Sequence, residues 1–161
     1  MRTQNLVEIY QDDDTLRGYM LFVKSADKVM KYADACLRET GFSFIKYMVL
    51  HIIAANGGVM TPSEIADLTF RRRNDITTLV RRLGRDGFVV TGRNDRDKRF
   101  VDVTLTDKGR DMLPQLIPVV KGIADQVMLS VTEADALVLA NLMGVLEQNA
   151  DDGFLKERGI E

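Results

Sequence analysis

The amino-acid sequence predicts a mainly α-helical fold with one small β-hairpin, and three features point to it. Apolar residues recur at steps of three or four through most of the chain, the spacing that lines one face of a helix. Between Phe88 and Leu105 that spacing gives way to alternation, the period of a strand. Turn residues at Thr40-Gly41, Asn56-Gly57-Gly58 and Gly87 divide the runs. A chain of 161 residues, 45% hydrophobic and 29% charged, has the composition of a globular protein with one core, and the whole of 1–161 is expected to form a single domain.

The first helix follows from Leu16, Met20, Val23, Ala26, Met30, Ala33 and Leu37, an apolar stripe that begins after Asp12 and ends at Thr40-Gly41. Ser43 is placed to cap a second helix carrying Phe44, Ile45, Met48, Val49, Ile52 and Ile53, which stops at Asn56-Gly57-Gly58. Thr61-Pro62-Ser63-Glu64 then has the spacing of a capping box with proline at the first helical position. That helix is short and ends near Leu68-Thr69. Another, from about Arg72 to Asp86, is marked by Ile76, Leu79, Val80 and Leu83 and closes near Gly87.

Phe88-Val89-Val90-Thr91 is β-prone, and Val101, Val103 and Leu105 alternate with Phe100, Asp102 and Thr104, so the two runs predict a hairpin. Its connection, residues 92–98, is polar and charged and should project outward. Thr106-Asp107 starts a helix with Met112, Leu113, Leu116, Ile117, Val120, Ile123, Ala124 and Val127 on its apolar side, whose early turns Pro114 and Pro118 are expected to bend or interrupt. Thr132-Glu133-Ala134-Asp135 opens a last helix carrying Leu137, Val138, Leu142, Val145 and Leu146. No internal repeat or low-complexity segment interrupts this order.

Charge is distributed unevenly along the chain. Arg71 to Arg99 contains ten Lys/Arg and four acids, whereas the rest of the chain contains twelve basic and twenty acidic residues, within a formal charge of -2. Alone, a basic run reads as a solvated face. Here it falls on the second of two short helices joined by a tight turn and on the hairpin behind them, the order of a winged helix-turn-helix, so a polyanion-binding face is the better reading.

The wing carries a family resemblance. Gly87-Phe88-Val89, together with Asp97-Lys98-Arg99-Phe100-Val101-Asp102-Val103-Thr104-Leu105-Thr106-Asp107-Lys108-Gly109, resembles the wing and following helix start of the MarR (multiple antibiotic resistance regulator) family. Helix order, chain length and wing length agree over roughly residues 12 to 150. The resemblance implies a winged helix-turn-helix, 58–106, flanked by N- and C-terminal dimerisation helices, 12–40 and 107–150. It also implies a homodimer on an inverted repeat in double-stranded DNA, acting as a transcriptional regulator and commonly a repressor.

On the basic helix, some of Arg73, Asn74, Thr77 and Thr78 are the candidates for reading bases and Arg71, Arg81 and Arg82 for phosphates, with Arg72 a further DNA-binding candidate near the helix start. The alternative for Asn74 or Thr77 is a cap or a bond back to the helix. The resemblance implies that a wing arginine enters the minor groove; Arg99 occupies that position, with Asp97 to orient it. The alternative is an Asp97–Arg99 pair that only stabilises the hairpin. Arg93, Arg96 and Lys98 would add backbone affinity. The Arg71-Arg72-Arg73 run departs from members with an acid or small polar residue there to brace the wing arginine.

Other function classes find little support. There is no glycine-rich phosphate loop, no nucleophile elbow and no His/Cys pairing at catalytic spacing, so no enzyme and no cofactor are expected. One cysteine, Cys36, and one histidine, His51, give no metal-site spacing. Cys36 lies on or beside an apolar helix face with no resolving cysteine, which favours a structural thiol over a redox sensor. No apolar run approaches the ~20 residues of a membrane span, and residues 1–14 lack a basic start and hydrophobic stretch, so a cytoplasmic protein is expected. The resemblance implies a small aromatic or phenolic effector, or cysteine oxidation; no effector residue is readable. A winged-helix module that docks on an acidic protein is the alternative function.

Overall fold

The first helix owes its start to a cap. In a computed structural model that describes residues 9–69, 71–94 and 101–157, helix α1 spans Asp14–Leu37, and the extended Asp13 accepts a hydrogen bond from the Leu16 amide at 2.9 Å. A 3-10 turn, Arg38–Thr40, closes it against Gly41, whose φ of 76° suits a residue without a Cβ. Helix α2, Phe44–Ala55, is capped twice: Ser43 Oγ accepts from the Lys46 amide, and Asp34 of α1 accepts from the Phe44 amide at 2.7 Å. The second cap fastens one helix to the other. Gly57 and Gly58, both at positive φ, then turn the chain.

Strand β1, Val59–Met60, is an element that the sequence did not disclose. Two residues are too few for alternation to register, and the strand exists through antiparallel pairing with residues more than forty positions away. Helix α3, Pro62–Thr69, begins with the expected capping box: the Thr61 amide donates to Glu64 at 2.7 Å, and the Glu64 amide donates back to Thr61 Oγ1 at 3.3 Å. Thr61→Ala should lower the stability of the protein by about 1 kcal/mol, read as a shift of the urea midpoint.

Helix α4, Arg73–Arg85, buries Ile76, Val80 and Leu83. Strands β2, Val89–Arg93, and β3, Val101–Leu105, pair antiparallel in a sheet of order β1-β3-β2, with Val89 opposite Leu105 and Arg93 opposite Val101. Val103 and Leu105 are buried as the alternation requires, but Val101 is 47% exposed. It sits at the far end of the hairpin, beyond the reach of the core. Residues 95–100 of the wing lie outside the described residues.

Helix α5, Asp107–Val127, runs without a break through Pro114 and Pro118, contrary to the expected interruption. Both rings are exposed, so the carbonyls of Arg110 and Pro114, which lose an amide donor, are on the solvated side. Leu113, Leu116 and Ile123 on the opposite side hold the helix against the core. That core joins Leu37, Leu50, Ile53, Ile65, Ile76, Leu83, Val89, Val103 and Leu105, all nearly inaccessible to solvent.

The chain divides into two compact units, one reaching to Ile123 and one beginning at Ala124. The second contains helix α6, Glu133–Glu157. Thr132 Oγ1 accepts from the Asp135 amide at 3.2 Å, the start expected of this helix. No residue of α6 is buried, and Leu137, Val138, Leu142, Val145 and Leu146 are all exposed in the single chain. Most of the α1 stripe is likewise uncovered; only Ala33 and Leu37 are buried.

Candidate nucleic-acid interface

One face of α4 is locked into the core by Ile76, Val80 and Leu83, and this decides what the other face presents. At helical spacing the opposite stripe is Asn74, Thr78, Arg81 and Arg85, all exposed, with Thr77 on one flank and Arg82 on the other. A helix carrying polar donors on a single rigid face is the shape that a major groove admits. Arg82 and Arg85 also lie in the last helical turn, where the helix dipole favours cations.

The sequence-predicted residues fall into three groups. Asn74, Thr78, Arg81 and Arg82 occupy or border the outward stripe, and Arg71 and Arg72 are exposed in the turn before α4, with Arg72 at its cap position but making no side-chain cap. Arg73 and Thr77 stand toward the hairpin, on a cleft of about 320 Å³ that is also lined by Thr61, Pro62 and Ser63 of the α3 start, Val80, Arg81, and Thr91 and Val101 of the sheet. Arg93 is exposed at the end of β2, just before Asn94, whose side-chain amide donates to Asp102 at 2.8 Å. Arg96, Asp97, Lys98 and Arg99 lie outside the described residues, so the wing assignments rest on sequence.

Thr77 adopts the geometry that the sequence left open as an alternative. Its hydroxyl donates to the Arg73 carbonyl at 2.8 Å. Arg85 was missed, although it stands one turn beyond Arg81 and projection around the helix would have found it. Ser63 and Thr91 were missed because their place on the cleft depends on how α3 and the sheet pack against α4.

The acid at the end of α4 is drawn toward the neighbouring helices. Asp86 forms an ion pair with Lys46 of α2 at 3.5 Å, and its carbonyl accepts from Lys108 of α5 at 2.7 Å. Lys108 also stands 4.7 Å from the centre of the Phe88 ring. These contacts tie the end of α4 to both neighbouring helices. Among the described residues, none of Arg71, Arg72, Arg73, Arg81, Arg82, Arg85 and Arg93 forms an ion pair with another described residue.

The remaining candidates lie apart from this face. Cys36 is half-buried against the core, and its hydrogen bond with Tyr32 raises the Tyr32 hydroxyl above its ordinary pKa of 10.0. His51 is exposed and stacked on Tyr47 with ring centres 5.4 Å apart, and burial raises the Tyr47 pKa. Among the described residues, no group of His, Cys, Asp and Glu is arranged to hold a metal ion. None of their helices is long and apolar enough to cross a membrane.

Comparison with known proteins agrees with this arrangement. The MarR family model matches residues 40–99, from the turn before α2 into the wing. The HTH-type transcriptional regulator SarZ of Staphylococcus epidermidis is 23% identical over 133 residues, covering 83% of this chain and 88% of that one. Among solved structures, a cysteine-to-serine mutant of MarR from E. coli complexed with operator DNA superposes with a TM-score of 0.76 at 21% identity, over 85% of this chain and 96% of that chain. The organohalide-sensing regulator RdhR-CbdbA1625 in its 2,4-dichlorophenol-bound form gives a TM-score of 0.75 at 20% identity, over 81% and 78%. With the helix order, the winged sheet and the basic outward stripe of α4 in place, this chain shares the fold of these regulators and is similar to the MarR family model over residues 40–99.

Proposed function

We propose that this protein is a sequence-specific regulator of transcription that binds an inverted repeat in double-stranded DNA as a homodimer. The observation that carries the reading is the exposed stripe Asn74, Thr78, Arg81 and Arg85 on a helix whose reverse face is buried. Asn74 and Thr78, with Arg73 and Thr77 beside them, read base edges; Arg71, Arg72, Arg81, Arg82 and Arg85 hold phosphates or guanine. Arg93, Arg96 and Lys98 add backbone contacts from the wing, and Arg99, oriented by Asp97, enters the minor groove. The DNA-binding part is 58–106.

Dimerisation is assigned to 12–40 and 107–150. The uncovered apolar residues of α1 and α6 support it, since the single chain leaves Leu137 at 64% and Leu142 at 55% exposed. Pairing two winged units sets two half-sites about one helical turn apart. We further assign the protein to the cytoplasm as a repressor released by a small aromatic or phenolic effector, without a catalytic role. The structure of RdhR-CbdbA1625 with 2,4-dichlorophenol supports that class of effector.

Selection of bound fragments from a genomic library, with wild type and Arg99→Ala compared, tests the function. The expected result is a short inverted repeat, recovered less efficiently by the variant. Recovery of nothing above background at low salt would favour a winged-helix module docking on an acidic protein. A monomer in sedimentation at micromolar concentration would overturn the dimer.

A further inference from the structure

We propose that Thr77 is a specificity-determining residue that recognises thymine through methyl-to-methyl contact, at a base pair within two steps of the one contacted by Arg81. The inference rests on the DNA-binding reading above and names the chemistry of one contact within it.

Threonine has two branches on Cβ, a hydroxyl and a methyl. In Thr77 the hydroxyl is committed: its single proton is donated to the Arg73 carbonyl at 2.8 Å, one turn back along the same helix. With that proton engaged the hydroxyl can only accept, and the methyl Cγ2 is the branch left for an apolar contact. The residue is exposed, so that methyl is not part of the core.

The surroundings suit an apolar group. Thr77 lines the cleft between α4, the start of α3 and the hairpin, where Pro62 and Val80 supply apolar surface. Of the four bases, only thymine presents a methyl group in the major groove. A thymine methyl placed against Thr77 Cγ2 would leave water for that apolar surface, whereas cytosine or a purine at the same position would leave it wet.

Spacing then ties this contact to its neighbour. Arg81 is four residues on, about 6 Å along the helix axis, and also lines the cleft. Base pairs rise about 3.4 Å each, so side chains separated by that distance along the groove meet base pairs no more than two steps apart. Arginine is suited to guanine O6 and N7. The combination is a thymine and a guanine at adjacent or next-adjacent positions in each half-site.

The test uses the full-length protein and the duplex that wild type selects. Dissociation constants are measured for wild type, Thr77→Val and Thr77→Ser on that duplex and on duplexes with each thymine of one half-site replaced by deoxyuridine. Thr77→Val keeps the methyl and should bind within about twofold of wild type; Thr77→Ser keeps the hydroxyl and should lose about fourfold per half-site, the size of one buried methyl. One uracil position should weaken wild type about fourfold and leave Thr77→Ser unaffected. Thermal melting of both variants checks that they remain folded. A Thr77→Val loss larger than that of Thr77→Ser, or uracil scans that coincide for wild type and Thr77→Ser, overturns the thymine contact while DNA binding stands. Failure of wild type to select any duplex overturns both.

Discussion

Raising the salt from roughly 50 to 200 mM should weaken DNA binding by about 10³- to 10⁵-fold if six to ten phosphates are neutralised across a dimer. Seven exposed arginines, Arg71, Arg72, Arg73, Arg81, Arg82, Arg85 and Arg93, supply the charge on each protomer, and none has an ion pair with another described residue to compete with DNA. Each phosphate contact releases condensed counterions, so the effect is entropic and independent of sequence. The slope therefore separates roles among these residues. Arg82→Ala should reduce the slope of log affinity against log salt by about one per protomer, whereas Asn74→Ala should leave the slope unchanged and relax the choice of base. Titration by fluorescence anisotropy at four or five salt concentrations measures this. A nearly flat salt dependence would exclude the phosphate-clamping role of this face.

Gly109→Ala should destabilise the protein by about 3 kcal/mol, lowering the melting temperature by about 10 °C. A Cβ on Gly109 would collide with the Phe88 carbonyl oxygen and stand 2.7 Å from Leu105 Cδ1. Neither neighbour can yield cheaply. The Phe88 oxygen accepts hydrogen bonds from the Thr106 amide at 3.1 Å and from Thr106 Oγ1 at 3.0 Å, and Leu105 is 1% exposed in the core. The Gly109 amide in turn donates to Thr106 Oγ1 at 3.1 Å, so the same threonine holds the start of α5 against the first residue after Gly87. Gly84→Ala is the contrasting variant. Its Cβ would meet only the Val89 oxygen at 3.8 Å, an ordinary contact, and in a helix the change should stabilise by about 0.5 kcal/mol. Differential scanning calorimetry of the two variants should show shifts of opposite sign. A Gly109→Ala protein that melts with wild type would mean that the start of α5 is not pressed against Phe88 and Leu105 as described.

Much of the fold was legible because the relevant interactions span four residues or fewer. At Ser43, Thr61 and Thr132 the cap is a hydrogen bond that the side-chain oxygen accepts from an amide three residues on, a spacing visible in the sequence. The stops at Gly41 and at Gly57-Gly58 follow from left-handed backbone that glycine adopts without strain. Helical period identified α4 as basic and its apolar side as Ile76, Leu79, Val80 and Leu83, of which Ile76, Val80 and Leu83 are buried and Leu79 half-buried. From these local rules the order of elements, the basic helix and the hairpin behind it followed, and with them the candidate residues Asn74, Thr78, Arg81 and Arg82.

Tertiary structure decided what depends on partners distant in sequence. Strand β1 exists because β3 offers Val103 and Thr104 as partners, which no window around Val59 contains. Helix α5 passes through two prolines because its far side is anchored by Leu113 and Leu116 while the rings face solvent, a balance between packing and lost hydrogen bonds that propensity alone does not weigh. The cleft that brings Ser63 and Thr91 beside Thr77 is a product of three elements meeting. By itself, then, the sequence determined the local conformations and the basic charge of α4. Its outward stripe follows from the same period once the apolar side is buried, whereas packing decided which residues of α3 and the sheet stand beside it, since burial energy is set by the core that the whole chain assembles.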